Sequence, residues 1–162
     1  MIPPLDPATG ALPAGRHVAT LDEVAQHFAT TDHRRAIWDN LLSVTGLFHT
    51  CGPLCAMWLS GSFLTTKTRP NDIDVVYWMN RHANLHRADL LATASHARPD
   101  WHVDAYPLAY APVADTSGTG GTYPVMRGYW DDLWCRLRDD DPSIARTTRR
   151  GYVEVIVDGW HS

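Results

Sequence analysis

The chain has no run of about eighteen apolar residues, the length a membrane-spanning helix needs, and its opening MIPPLDPATG has neither a basic stretch nor an apolar one. Both absences argue against membrane insertion or secretion, so a cytoplasmic location is expected. Cysteine is scarce: Cys51, Cys55 and Cys135 form an odd set with no second close pair, even with His49 nearby. That is a poor basis for a disulfide framework or a four-ligand zinc site and favours reduced thiols. Positive charge is short as well. Fourteen Lys and Arg face eighteen Asp and Glu, a net of -4, which makes an extended nucleic-acid partner unfavourable but leaves nucleotides and small ligands open.

Several catalytic signatures are missing too. No GK[ST] follows the glycine-rich VADTSGTGGTY, His82 and His86 lack an HExxH glutamate, and Ser62 lacks a G-x-S-x-G turn. A phosphate loop, a zinc hydrolase and a serine hydrolase are therefore disfavoured. No fixed-period repeat or long low-complexity block is present, so a solenoid is not expected.

What is present amounts to one domain of 162 residues, long enough to bury a core without a metal or disulfide. Residues 1–19, rich in Pro, Gly and Ala, read as an extended arm, and residues 20–162 as a single domain. Thr20 and Glu23 have capping-box spacing ahead of Leu21, Val24, Ala25 and Phe28, which predicts a short helix from Leu21. A second helix begins at Asp32 with Ala36, Ile37, Leu41 and Leu42 on one stripe. Gly46 is its expected stop, and Arg34-Arg35 its expected solvated face.

LCAMWLS, ending at Ser60, reads as a buried strand, and the run from Ile73 to Trp78 as a second. Residues 84–96 predict a third helix capped by Asn84, with Leu85, Leu90 and Leu91 inward. A strand from His102, bounded by Pro107, fits a sheet edge. Residues 113–123 predict an irregular, mobile loop. An aromatic helix over 125–138 offers Tyr129, Trp130 and Trp134 to the core or to self-association, and a last strand spans 152–157. Asp131-Asp132 and Asp139-Asp140-Asp141 read as solvated. The expected class is α/β (α+β), a small mixed sheet with flanking helices.

The chemistry concentrates in GSFLTTKTRPNDIDVVY, residues 61–77. Strand alternation places Asp72 and Asp74 on one side, with α-carbons about 6.6 Å apart, and turns Ile73 and Val75 to the other. Two carboxylates so placed repel each other unless a cation neutralises them, and a hard divalent ion such as magnesium suits oxygen ligands. Gly61 allows close approach of a phosphate, Ser62 offers donors, and Lys67 or Arg69 can reach the same charge. Asp104, expected near the middle of the later strand, is the candidate third acid.

A hydrophobic strand ending in LSGS (Leu59 to Ser62), a polar interval, NDID (Asn71 to Asp74) and a later VDAY (Val103 to Tyr106) together resemble the DNA polymerase beta-like nucleotidyltransferase superfamily. The resemblance is to a small, uncharacterised bacterial branch and covers about residues 32–110. LPAGRHVATLDEV and YWDDLW look like flanking features of such a branch. Many small members carry a Ser-, Arg- and Gly-rich stretch after Gly-Ser, whereas Phe63-Leu64-Thr65-Thr66-Lys67 stands here.

The resemblance implies a nucleotidyltransferase-like fold in which Gly61 and Ser62, helped by Lys67, cradle a triphosphate, ATP foremost. Asp72, Asp74 and Asp104 would hold magnesium and form the catalytic set. The implied reaction moves a nucleoside monophosphate to an acceptor hydroxyl and releases pyrophosphate. The alternative is a non-catalytic nucleotide-binding or protein-interaction module, antitoxin-like or regulatory.

Overall fold

The computed structural model describes residues 1–111, 123–137 and 148–159. Five strands, β1 (Gly15–Val18), β2 (Leu54–Ser60), β3 (Ile73–Asn80), β4 (Val103–Tyr110) and β5 (Gly151–Ile156), form one mixed sheet in the order β1-β5-β2-β3-β4. β1 runs parallel to β5 and β3 parallel to β4, while β2 is antiparallel to both its neighbours. Four helices flank it: α1 (Leu21–Phe28), α2 (Asp32–His49), α3 (Leu85–His96) and α4 (Tyr123–Trp134). The expected small mixed sheet with flanking helices is therefore present.

Period-two alternation gives the sheet two apolar faces and two cores. Met57, Leu59, Ile73, Val75, Tyr77 and Val153 point to one face, where they meet α1, α2 and α3. Trp58, Val76, Trp78 and Tyr152 point to the other and meet Tyr123, Trp130 and Trp134 of α4. Trp130 and Trp134 are thus core residues, and Tyr129 is exposed. Among the described residues no helix is long and apolar enough to cross a membrane.

Local chemistry explains most element boundaries. Thr20 caps α1 through a full capping box, with Glu23 returning a hydrogen bond to the Thr20 N–H. Thr31 and Asn84 cap α2 and α3 with their side-chain oxygens. Gly46 does not stop α2, which runs on to His49. An interior glycine costs only about 1 kcal/mol, and the fully buried Phe48, stacked on Tyr77 at 4.3 Å, outweighs it with roughly 3 kcal/mol of burial.

In α3 the inward stripe is Ala88, Ala92 and Ser95, with Leu85 and Leu91 partly buried. Leu90 is 60% exposed rather than inward, because it follows Ala88 by two positions and turns to the opposite side. β4 passes through Pro107 without ending, which an edge strand tolerates because no neighbour needs the missing N–H. The N-terminal segment is part of the packing. Ile2 and Leu12 are buried in the first core, and Gly15–Val18 add the outer strand. The loop expected from Val113, Arg138 at the end of the aromatic segment and the acidic run 139–141 lie outside the described residues.

Candidate functional site

The turn after β2 is built around Gly61, whose φ of +88° suits glycine alone. A Cβ there would also stand 2.5 Å from the Asp74 Oδ2, so the missing side chain is what lets that carboxylate lie over the turn. Ser62 to Leu64 then make one short helical turn with Phe63 and Leu64 buried, which accounts for the two apolar residues of the FLTTK stretch.

Arg34 fixes the rest of that stretch. Its guanidinium donates to the carbonyl oxygens of Phe63 (2.7 Å), Thr65 (2.8 Å), Lys67 (2.6 Å) and Phe28 (3.3 Å). Arg34 is only 6% exposed, which corrects the expected solvated face: the rigid fork of donors reaches several carbonyls of one loop at once. Burial pulls its pKa below the ordinary guanidinium value. Arg35 does face solvent, where it pairs with Asp32 at 2.5 Å. From the other side Gly10 O accepts the Thr66 N–H at 2.8 Å, and Ala11 bridges to Thr65.

The acids follow from register. Ser60 of β2 lies opposite Asp74 of β3, and Asp74 lies beside Asp104 of β4. All three share the face that carries Trp58, Val76 and Tyr106, while Ile73 and Val75 turn to the other core. Asp104 is the second residue of β4 rather than a mid-strand position, and that shift brings it level with Asp74. Asp72 sits just before β3 and is half-buried.

Gly61, Ser62, Lys67, Asp72, Asp74 and Asp104 all line one cavity of about 620 Å³, with Thr9, Tyr106 and Arg150 completing its rim. Arg69 is not among them; it lines a neighbouring cavity of about 490 Å³ that shares Asn71, Asp72 and Asp104 with the first. Among the described residues no three His, Cys, Asp or Glu side chains are grouped closely enough to hold a metal ion unaided. The donors are hard oxygens nonetheless, and magnesium characteristically takes one or two carboxylates and completes its shell with water and substrate phosphates. The donor set fits that ion on chemical grounds.

Arg150 is a functional candidate that sequence reasoning missed. Directly ahead of β5, it donates to Ser60 Oγ at 2.6 Å, to Gly61 O at 3.4 Å and to Trp134 O at 3.3 Å, tying the end of α4 to the Gly61-Ser62 turn. Its only sequence signal was a cation next to a predicted strand. Deeper on the same face, Glu154 is fully buried, accepts from Trp58 Nε1 at 2.9 Å and meets Arg16 at 3.3 Å. Asp131 accepts from Tyr152 and Asp132 pairs with Arg136 and Arg149, so these acids are partnered rather than merely solvated. Burial first, and then the Asp131 contact, raise the Tyr152 phenol above its ordinary pKa.

A family model described as a family of unknown function (DUF6932) matches residues 3–156, and the chain belongs to that family. No curated protein and no solved structure matches it.

Proposed function

We propose that this protein transfers a nucleoside monophosphate from a nucleoside triphosphate, ATP foremost, to an acceptor hydroxyl with release of pyrophosphate. The observation that carries the reading is the meeting in one 620 Å³ cavity of a glycine-serine turn, two cationic side chains and three carboxylates at the leading ends of two adjacent strands. The fold in this reading is nucleotidyltransferase-like, a finer assignment than the mixed α/β sheet itself.

In this reading Ser62, Lys67 and Arg150 bind the triphosphate, and the open Cα of Gly61 lets the phosphates approach the backbone. Asp72 and Asp74 would hold magnesium, which when bound supplies charge neutralisation for the phosphates. Asp104, on the edge strand β4 beside Asp74 and lining the same cavity, orients the acceptor hydroxyl. The acceptor oxygen bonds to the α-phosphorus, the bond from that phosphorus to the pyrophosphate oxygen breaks, and the acceptor proton is released to solvent. Charged groups fixed in place before the reaction require no reorganisation as charge develops.

The test is a mixture of purified protein, labelled ATP, magnesium and candidate hydroxyl acceptors. Labelled adduct and pyrophosphate are expected from the wild type and neither from D72A/D74A. Turnover surviving in the double variant would sink the assignment. Tight ATP binding with no pyrophosphate from any acceptor would replace the enzyme with a nucleotide-binding module.

A further inference from the structure

Resting on the nucleotidyl-transfer reading above, we infer that His33 and His102 are positioning residues: they fix the backbone on either side of Asp72, and with it the carboxylate offered to magnesium. Asp72 needs such support. It stands one residue ahead of β3, behind the four exposed residues Thr66 to Arg69, and the regular pairing of β3 with β4 starts only at Ile73 and Val103.

His33, in the first turn of α2, brings Nε2 to 2.7 Å from Pro70 O. His102, between the short helical turn Pro99–Trp101 and β4, brings Nδ1 to 2.5 Å from Asn71 O, and its own carbonyl accepts the Ile73 N–H at 3.0 Å. The peptide groups before and after Asp72 are therefore both held, and His102 holds one on each side. A carbonyl only accepts, so the proton sits on Nε2 of His33 and on Nδ1 of His102. The two rings also meet edge to face, with centroids 6.3 Å apart.

His102 has a φ of +54°, the one positive φ outside glycine among the described residues. Such a conformation persists where surrounding contacts enforce it. Here the ring bonds back to Asn71 while the backbone goes on into β4. His102 is also two residues ahead of Asp104, so one residue fixes the approach to Asp72 and opens the strand that carries Asp104.

Both histidines line the 490 Å³ cavity beside Asn71 and Asp72, and neither lines the 620 Å³ one. Among the described residues no three His, Cys, Asp or Glu side chains are grouped to hold a metal ion, so the rings do not join the acids as ligands in this arrangement. They act on the metal site from behind, through the backbone. Groups that orient metal ligands in this way are worth about ten- to a hundredfold in metal affinity.

Electron paramagnetic resonance of free Mn2+, titrated into the intact protein in place of magnesium, reads the site without turnover. The wild type is expected to bind Mn2+ in a way that D72A removes, and H33A/H102A to bind it about tenfold more weakly or worse. The magnesium concentration that half-saturates pyrophosphate release should rise in step, while ATP binding without metal, measured by calorimetry, is retained. H33Q/H102N should recover the Mn2+ affinity, because the Gln Nε2 and Asn Nδ2 can donate where the ring nitrogens do and Asn tolerates the left-handed backbone. If circular dichroism shows the alanine pair unfolded, H102A against H102N carries the same comparison. Equal Mn2+ affinity in the alanine and amide variants overturns the proposal, as does Mn2+ binding that D72A leaves in place or a wild type that binds none. Should the wild type show the expected Mn2+ pattern yet release no pyrophosphate with any acceptor, the transfer reading falls and the positioning role stands.

Discussion

Arg34 donates to three carbonyls of one loop, at 2.7, 2.8 and 2.6 Å, from a side chain with almost no solvent contact. Replacing it by methionine keeps the apolar stem but leaves those carbonyls without their donor. R34M is therefore expected to lower the unfolding free energy by about 3 kcal/mol, read from urea denaturation. R34K should recover little of that loss, because an ammonium cannot span the same set of oxygens. Since this loop carries Ser62 and Lys67, ATP binding should weaken in parallel. Gly61, Asp72 and Asp74 were legible because their signal is local: a glycine between two strands and alternation within one. Arg34 and Arg150 were not, because their partners around the Gly61 turn and the loop after it lie 29 to 33 and 89 to 90 residues away, and a basic residue beside a helix or strand ordinarily means solvent.

Helix ends were readable wherever a side chain closed them and unreadable where packing did. The Thr20–Glu23 box marks the start of α1 from sequence spacing alone, whereas the continuation of α2 past Gly46 depends on Phe48 meeting a tyrosine from a different element. The pairing of Asp74 with Asp104 was equally hidden, because register between β3 and β4 is set across the sheet and not within either strand. The capping box gives α1 a pH dependence. The Thr20 backbone N–H, donated at 2.9 Å, is the main cause holding the Glu23 carboxyl below its ordinary pKa. On acidification the unfolded chain takes up the proton first, near about 4.3, while the native carboxylate resists it. The contribution is thus fully present above that pH and is lost as pH falls through the native value. E23Q keeps a hydrogen bond to Thr20 but has nothing to titrate. The drop in urea midpoint from about pH 7 to about pH 3 should be smaller in E23Q than in the wild type, and an equal drop would remove Glu23 from the account.

Across the whole molecule, the sheet order puts the last strand in sequence next to the middle of the sheet. β5 separates β1 from β2, sends Val153 and Val155 into one core and Tyr152 into the other, and is preceded by the arginine that reaches Ser60 and Gly61. Without it, β1 has no partner in the sheet, the β2 edge is unpaired, and buried Trp58 loses both the Glu154 carboxylate and the Tyr152 ring at 5.0 Å. Neither core closes over the residues that come before it. The native structure is therefore an all-or-none product of nearly the full length of chain, and the site at the sheet end inherits that dependence through Ser60, Asp74 and Asp104. A chain ending at Arg150 should show no cooperative thermal transition by circular dichroism and should self-associate through its unpaired β2 edge. A cooperative transition together with retained ATP binding in that truncation would mean that β2, β3 and β4 stand alone with α1 to α3, and that β5 serves only as a cover.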